Sequence, residues 1–254
     1  MVKGLSMKAF WIALSSLTLF PLSPTQWTAR DLKESVAYYP LIGALIGTVL
    51  ALASIIQLPH DLKALVLTLL WVVMTAAFHL DGLSDCLDGF FGGKNPQERR
   101  RIMKDPAVGA YGATGIALAL LFKYVLLTKV LASQEDWKWL LLIPLSARWA
   151  VTFACTLFKA PKGDKGLGSQ VVGLPPAWFA ASTVLSLGVA IALLKFQGLE
   201  AFLLAAGTAL ALGFLSQTQI GGLTGDGMGA TVEMSEVILL FFACLCISNG
   251  IFHL

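Results

Sequence analysis

The chain has 254 residues, 57% of them hydrophobic and only 13% charged, with 18 Lys and Arg against 15 Asp and Glu for a net charge of +3. A soluble domain carries about 25% charged residues, so this chain lacks the charge to coat its surface in water and needs lipid to do part of it. The same figures exclude a disordered chain, a collagen, a coiled coil and a disulfide scaffold, and the small, scattered charge excludes a nucleic-acid binder.

In chain order, the first apolar run covers 5–22, carries Lys8, is broken by Pro21 and Pro24, and precedes Arg30, Asp31, Lys33 and Glu34. No small-residue cleavage site follows it, so an interfacial or re-entrant helix fits better than a signal peptide. Seven longer runs come next, near 36–58, 62–80, 110–132, 137–158, 177–196, 199–217 and 235–253. Each suits one helical crossing, which takes about 20 apolar residues. Short connections at 59–61, 132–136 and 197–198 imply antiparallel hairpins. The expectation is an all-α polytopic integral membrane helix bundle, with 1–254 forming a single membrane-embedded catalytic domain.

With seven crossings, the N-terminus and the loops 81–109, 159–176 and 218–234 share one side. That side holds 12 of the 18 cations: Lys3, Lys8, Arg30, Lys33, Lys94, Arg99, Arg100, Arg101, Lys104, Lys159, Lys162 and Lys165. By the positive-inside rule it is cytoplasmic, and the long loops, where chemistry belongs, all face it. Cys86, Cys155, Cys244 and Cys246 have no metal-binding spacing and read as core residues. Gly43-x-x-x-Gly47 is compatible with helix association into a homodimer.

The second run ends in His79-Leu80-Asp81-Gly82-Leu83-Ser84-Asp85-Cys86-Leu87-Asp88-Gly89. On a helix, Asp81, Asp85 and Asp88 fall within about 60° of one another. Like charges on one stripe repel, and a helix C-terminus is the wrong pole for them. A divalent cation between them resolves the conflict, and magnesium suits oxygen-only ligands. His79 reads as a packed residue as readily as a ligand. Lys94, Arg99, Arg100, Arg101 and Lys104 follow, suited to pyrophosphate or simply marking the cytoplasmic side. Asp105 precedes Pro106.

Lys123 lies inside the third crossing, where it snorkels or binds, and Arg148 inside the fourth, facing an anion or the carboxylates. The loop containing Gly166 and Gly168 suits phosphate or a nucleotide. A second acidic, glycine-rich segment, 221–236, holds Thr224, Asp226 and Glu233. Its acids complement a metal rather than naked phosphate, and Asp226 and Glu233 share a face if the segment is helical.

Together these motifs resemble the cobalamin synthase family, the adenosylcobinamide-GDP ribazoletransferases. The likeness rests on His79 to Asp85 with Asp88 and Gly89, on Ile102 to Asp105 with Gly109 and Gly112, on Gly166 to Gly168, and on Thr224 to Asp226 with Gly229, Ala230 and Glu233. It spans nearly the whole chain. The acidic run also echoes the CDP-alcohol phosphotransferase signature, but the Ala-Arg and long spacing of that signature are missing.

The resemblance implies a Mg2+-dependent transfer from adenosylcobinamide-GDP to α-ribazole or its 5′-phosphate, at the cytoplasmic membrane of a prokaryote. It implies Asp81, Asp85, Asp88, Asp226 and Glu233 as metal ligands, and Asp88 or Asp105 as acceptor of the hydroxyl proton. His79, Lys104, Lys123, Arg148, Gly166, Gly168 and Thr224 are the substrate-binding candidates. A lipid-linked phosphotransferase, a polyprenyl transferase and a divalent-cation transporter are the competing readings.

Overall fold

The computed structural model describes residues 6–133 and 136–248. Lys3, the 134–135 part of one expected connection and residues 249–253 of the last expected crossing lie outside them. Among the described residues the secondary structure is entirely helical, as lipid requires of any segment that must satisfy its own backbone.

Helix α1 (Met7–Leu17) is 11 residues long, too short to cross, and buries Ala9, Ile12, Ala13 and Leu17. Thr28 and Asp31 form a reciprocal capping box at the start of α2 (Ala29–Ser35), and a 3-10 turn (Val36–Tyr38) leads into α3 (Tyr39–Ser54). Then follow α4 (His60–Met74), α5 (Phe78–Gly92), α6 (Pro96–Ile102), α7 (Ala110–Val130) and α8 (Asp136–Leu157). The described residues close with α9 (Leu167–Val171), α10 (Pro176–Ile220) and α11 (Gly225–Ser248).

Among the described residues, five helical stretches are long and apolar enough to cross a bilayer, and α4 with α5, bent by 84°, make a sixth. Helix α10 supplies one more. Its 45 residues are interrupted at Lys195 (φ 51°, ψ −125°), and Gly198 lies against the main chain of Ala190. A continuous helix would hold those two residues about 12 Å apart. The chain therefore reverses at Lys195, and each arm suits one crossing, as the two runs near 177–196 and 199–217 led us to expect.

Helix α8 is the centre of the bundle, with Trp139, Leu140, Leu142 and Ile143 all buried. Pro144 within it lacks the N–H that would bind the Leu140 carbonyl. Helix α3 approaches at that point: Gly47 abuts the Leu140 and Leu141 main chain, and Gly43 that of Pro144 and Leu145. The Gly43–Gly47 stripe is thus spent on an intramolecular contact and is not the homodimer surface that the sequence allowed.

Four helices meet at a buried charge cluster. Lys123 of α7 pairs with Glu233 at 2.7 Å and Glu236 at 2.5 Å, both on α11. Arg148 of α8 pairs with Glu236, and Trp71 of α4 donates its Nε1–H to the same carboxylate at 3.1 Å. Lys123 also lies over the Trp71 ring, 5.0 Å from its centroid. None of the four charged side chains is more than 3% exposed. Lys123 therefore does not snorkel. Two positive and two negative charges balance, which is how a low-dielectric interior tolerates them.

Removing Lys123 should leave two carboxylates facing one guanidinium. Lys123→Met is expected to destabilise the protein by about 3–5 kcal/mol, and adding Glu233→Gln should recover part of the loss. Thermal unfolding of the purified protein in detergent checks this; a K123M protein as stable as the parent would show that the pairs do not hold the bundle.

Candidate active site

The expected second crossing, 62–80, does not run straight into the acidic motif. Helix α4 ends at Met74, and Ala76 (φ 48°) and Ala77 (φ 56°) adopt the left-handed conformation, which disfavours a residue with a Cβ. This elbow produces the 84° bend. Asp81 consequently lies in the first turn of α5, not at a helix C-terminus. There the macrodipole favours an acid, a correction to the sequence reading.

The second acidic segment is also helix rather than loop. Gly221 (φ 85°) ends α10, and the Leu223 N–H donates to the Lys159 carbonyl at 2.9 Å. Thr224 Oγ1 then accepts from the Gly227 N–H at 3.2 Å and caps α11. The last crossing therefore starts at Gly225, ten residues before the expected 235, and Asp226 occupies its first turn.

Helices α5 and α11 cross with their backbones in contact. A Cβ on Gly82 would stand 2.9 Å from the Asp226 carbonyl oxygen and 3.0 Å from its Cα. One on Gly229 would meet the His79 carbonyl at 3.2 Å. Only paired glycines permit this approach, and it brings Asp226 beside Asp81 and Asp85. Asp85 feels the charges of Asp226, Asp81 and Asp88. Asp226 feels Asp81 and Asp164, with Lys104 as a cation in reach. Among the described residues, no salt bridge engages Asp81, Asp85 or Asp226.

The remaining candidates divide. Gly168 packs on the Thr224–Gly225 main chain, bringing its loop to the crossing, whereas Gly166 bonds within its own loop, to Asp164 and Ser169. Asp88 is buried, and its two oxygens accept the N–H groups of Gly109 (2.7 Å) and Gly112 (2.9 Å) at the start of α7. Asp88 therefore caps a helix. Asp105 is exposed and turns the chain by accepting the Ala107 N–H. Glu233, Lys123 and Arg148 are engaged with one another and with Glu236 in the buried cluster. Arg99 donates to the Gln219 carbonyl at 3.3 Å, tying α6 to α10. His79 is buried with both ring nitrogens unpartnered.

Sequence reasoning counted Glu236 only among the acids of its segment, with no role of its own, and missed Asp164. The signal for Glu236 was available, as a second acid three residues after Glu233 in a run that must cross lipid. Asp164 sat in a loop read only for its glycines and lysines.

Among the described residues, no three His, Cys, Asp or Glu side chains are close enough to hold a metal ion between them. The donor chemistry is nonetheless that of a hard cation: carboxylate oxygens on two crossing helices, mutually repelling and without ion-pair partners.

Fold and site together define a polytopic membrane helix bundle with a carboxylate-rich centre between two helix N-termini. The chain belongs to the cobalamin-5-phosphate synthase family, whose model matches residues 9–244. It is 38% identical to an adenosylcobinamide-GDP ribazoletransferase of Syntrophobacter fumaroxidans, over 91% of this chain and 96% of that one. Relatives of the same name in Desulfitobacterium hafniense (35% identical, covering 94% and 97%) and Pseudomonas putida (38%, covering 92% and 97%) match as fully. No solved structure matches.

The crossing yields a direct test. Gly82→Val should push α11 off α5 and cut turnover by about 100-fold, the cost of roughly an ångström of misplacement in an active site, while the protein still inserts. Steady-state rates on membrane fractions with matched protein levels measure it; unchanged rates would mean that the contact does not set the site.

Proposed function

We propose that this chain transfers the adenosylcobinamide phosphoryl group of adenosylcobinamide-GDP to the ribose 3′-hydroxyl of α-ribazole or its 5′-phosphate. The new bond joins that oxygen to the cobinamide-side phosphorus, the phosphoanhydride breaks, and GMP leaves with the bridging oxygen. The observation that carries the reading is the glycine-paired crossing of α5 and α11, which sets Asp81 and Asp85 against Asp226 in a member of this family.

Asp81, Asp85 and Asp226 are the residues that would hold Mg2+. Bound there, the ion would neutralise charge on the diphosphate, which is most of what phosphoryl transfer asks of a protein. Lys104, exposed and within reach of Asp226, adds a cation for the phosphates. Asp88 and Asp105 already accept backbone N–H groups. Asp81 and Asp85 have no hydrogen bond from protein among the described residues, so one of them remains open to take the hydroxyl proton. Asp88 contributes by fixing α7 against α5.

The site is read as cytoplasmic. The loops that build it are those that carry most of the lysines and arginines, and such loops remain inside. The membrane is then the cytoplasmic membrane of a prokaryote.

The test is GMP release by purified protein given adenosylcobinamide-GDP, α-ribazole and Mg2+. Asp81→Ala and Asp226→Ala should each reduce it to background, and chelation should abolish it until Mg2+ is restored. Full activity in either variant would remove that residue from the metal site. Turnover of a CDP-alcohol in place of the cobinamide substrate would overturn the assignment.

A further inference from the structure

A cavity of about 500 Å³ lies behind the α5–α11 crossing, beneath α1. Ile12, Leu17, Leu32, Val151, Met228 and Val232 give it apolar walls. Gly168, Gly225 and Gly229, which build the carboxylate centre, form part of its boundary too. Two polar side chains at one end are incompletely satisfied. His79 has neither ring nitrogen paired, and Arg148, though bonded through its terminal nitrogen to Glu236, leaves Nε–H without a partner.

We infer that this cavity receives the base of the nucleoside acceptor, a flat, methylated benzimidazole, with His79 as its hydrogen-bond partner. The inference rests on the proposed transferase reading and says where one of the two substrates sits.

Size and polarity select the occupant. The volume falls in the range of about 300–1,000 Å³ usual for small-molecule sites, and a corrin with its amide side chains does not fit. Guanine carries hydrogen-bonding groups around most of its edge, and burying them against aliphatic walls would leave most unpaired, at a cost for each. A lipid acyl chain suits the walls but offers His79 no partner at all. The benzimidazole of a nucleoside has one ring nitrogen blocked by the sugar and one free to accept. A neutral imidazole has one N–H to offer. A base seated this way directs its ribose toward Gly168 and Gly225, hence toward Asp226.

The experiment uses the full chain in phospholipid nanodiscs and determines KM for each substrate separately. His79→Phe should raise KM for α-ribazole about tenfold, the worth of one buried hydrogen bond, and leave KM for adenosylcobinamide-GDP within about twofold. His79→Asn, which restores a donor, should recover part of the loss. Val232→Phe, which fills the cavity without touching His79, should show the same split and serves if His79→Phe does not fold. A rise in KM for adenosylcobinamide-GDP alone would give the cavity to the other substrate and overturn the inference. Normal turnover with both KM values unchanged in all three variants would overturn it while sparing the transferase reading. A parent protein that releases no GMP from the substrate pair would overturn both.

Discussion

Glu236 is the residue on which the arrangement of the other helices turns. Its carboxylate takes Lys123, Arg148 and the Trp71 indole at once, so one buried anion sets α4, α7 and α8 around α11. The ion pairs also fix the rotation of α11 about its own axis. Asp226, seven residues before Glu233 and so about 10 Å along nearly the same face, inherits that rotation. Where α11 reaches Gly229 it meets Gly82, and electrostatic control gives way to contact between backbones.

The two groups of charges are opposite in character. In the deep cluster each charge has a partner within the protein, and the sum is zero. At the crossing, Asp81, Asp85, Asp226 and Asp164 share little more than Lys104. Asp88 stands between these cases, neutralised by two amide dipoles at the start of α7. Charges satisfied internally hold a fold together, whereas charges left uncompensated at the edge of a bilayer are costly unless a ligand answers them.

Much of this was legible in the chain. Apolar runs of crossing length overlap each long apolar helix among the described residues, and the acids and glycines of 79–89 and 224–229 marked the α5–α11 crossing. The elbow was not legible, because Ala76 and Ala77 are strong helix formers with no turn signal; their N–H groups bond back to the Val73 and Val72 carbonyls and close the end of α4. The start of α11 was misplaced because five glycines in nine residues suggest a loop, yet Gly225, Gly227 and Gly229 are helical, and Gly229 is where the helix touches α5. The roles of Lys123, Arg148 and Glu233 depended on partners scattered across separate crossings, which spacing along one segment cannot reveal. Gly43 and Gly47 looked available to a second copy because a small-residue stripe does not name the helix it fits.

The reversal at Lys195 has a consequence of parity. A straight α10 would extend about 67 Å, more than twice the hydrocarbon thickness. Drawn as one crossing, it would deliver Gly221 to the opposite face from Pro176. Folding back adds one passage and makes the count between those residues even. The chain thus returns to the face it left, where Gly168 can rest on Gly225. One residue in an unfavourable backbone conformation keeps loops more than fifty positions apart in sequence on the same side of the membrane.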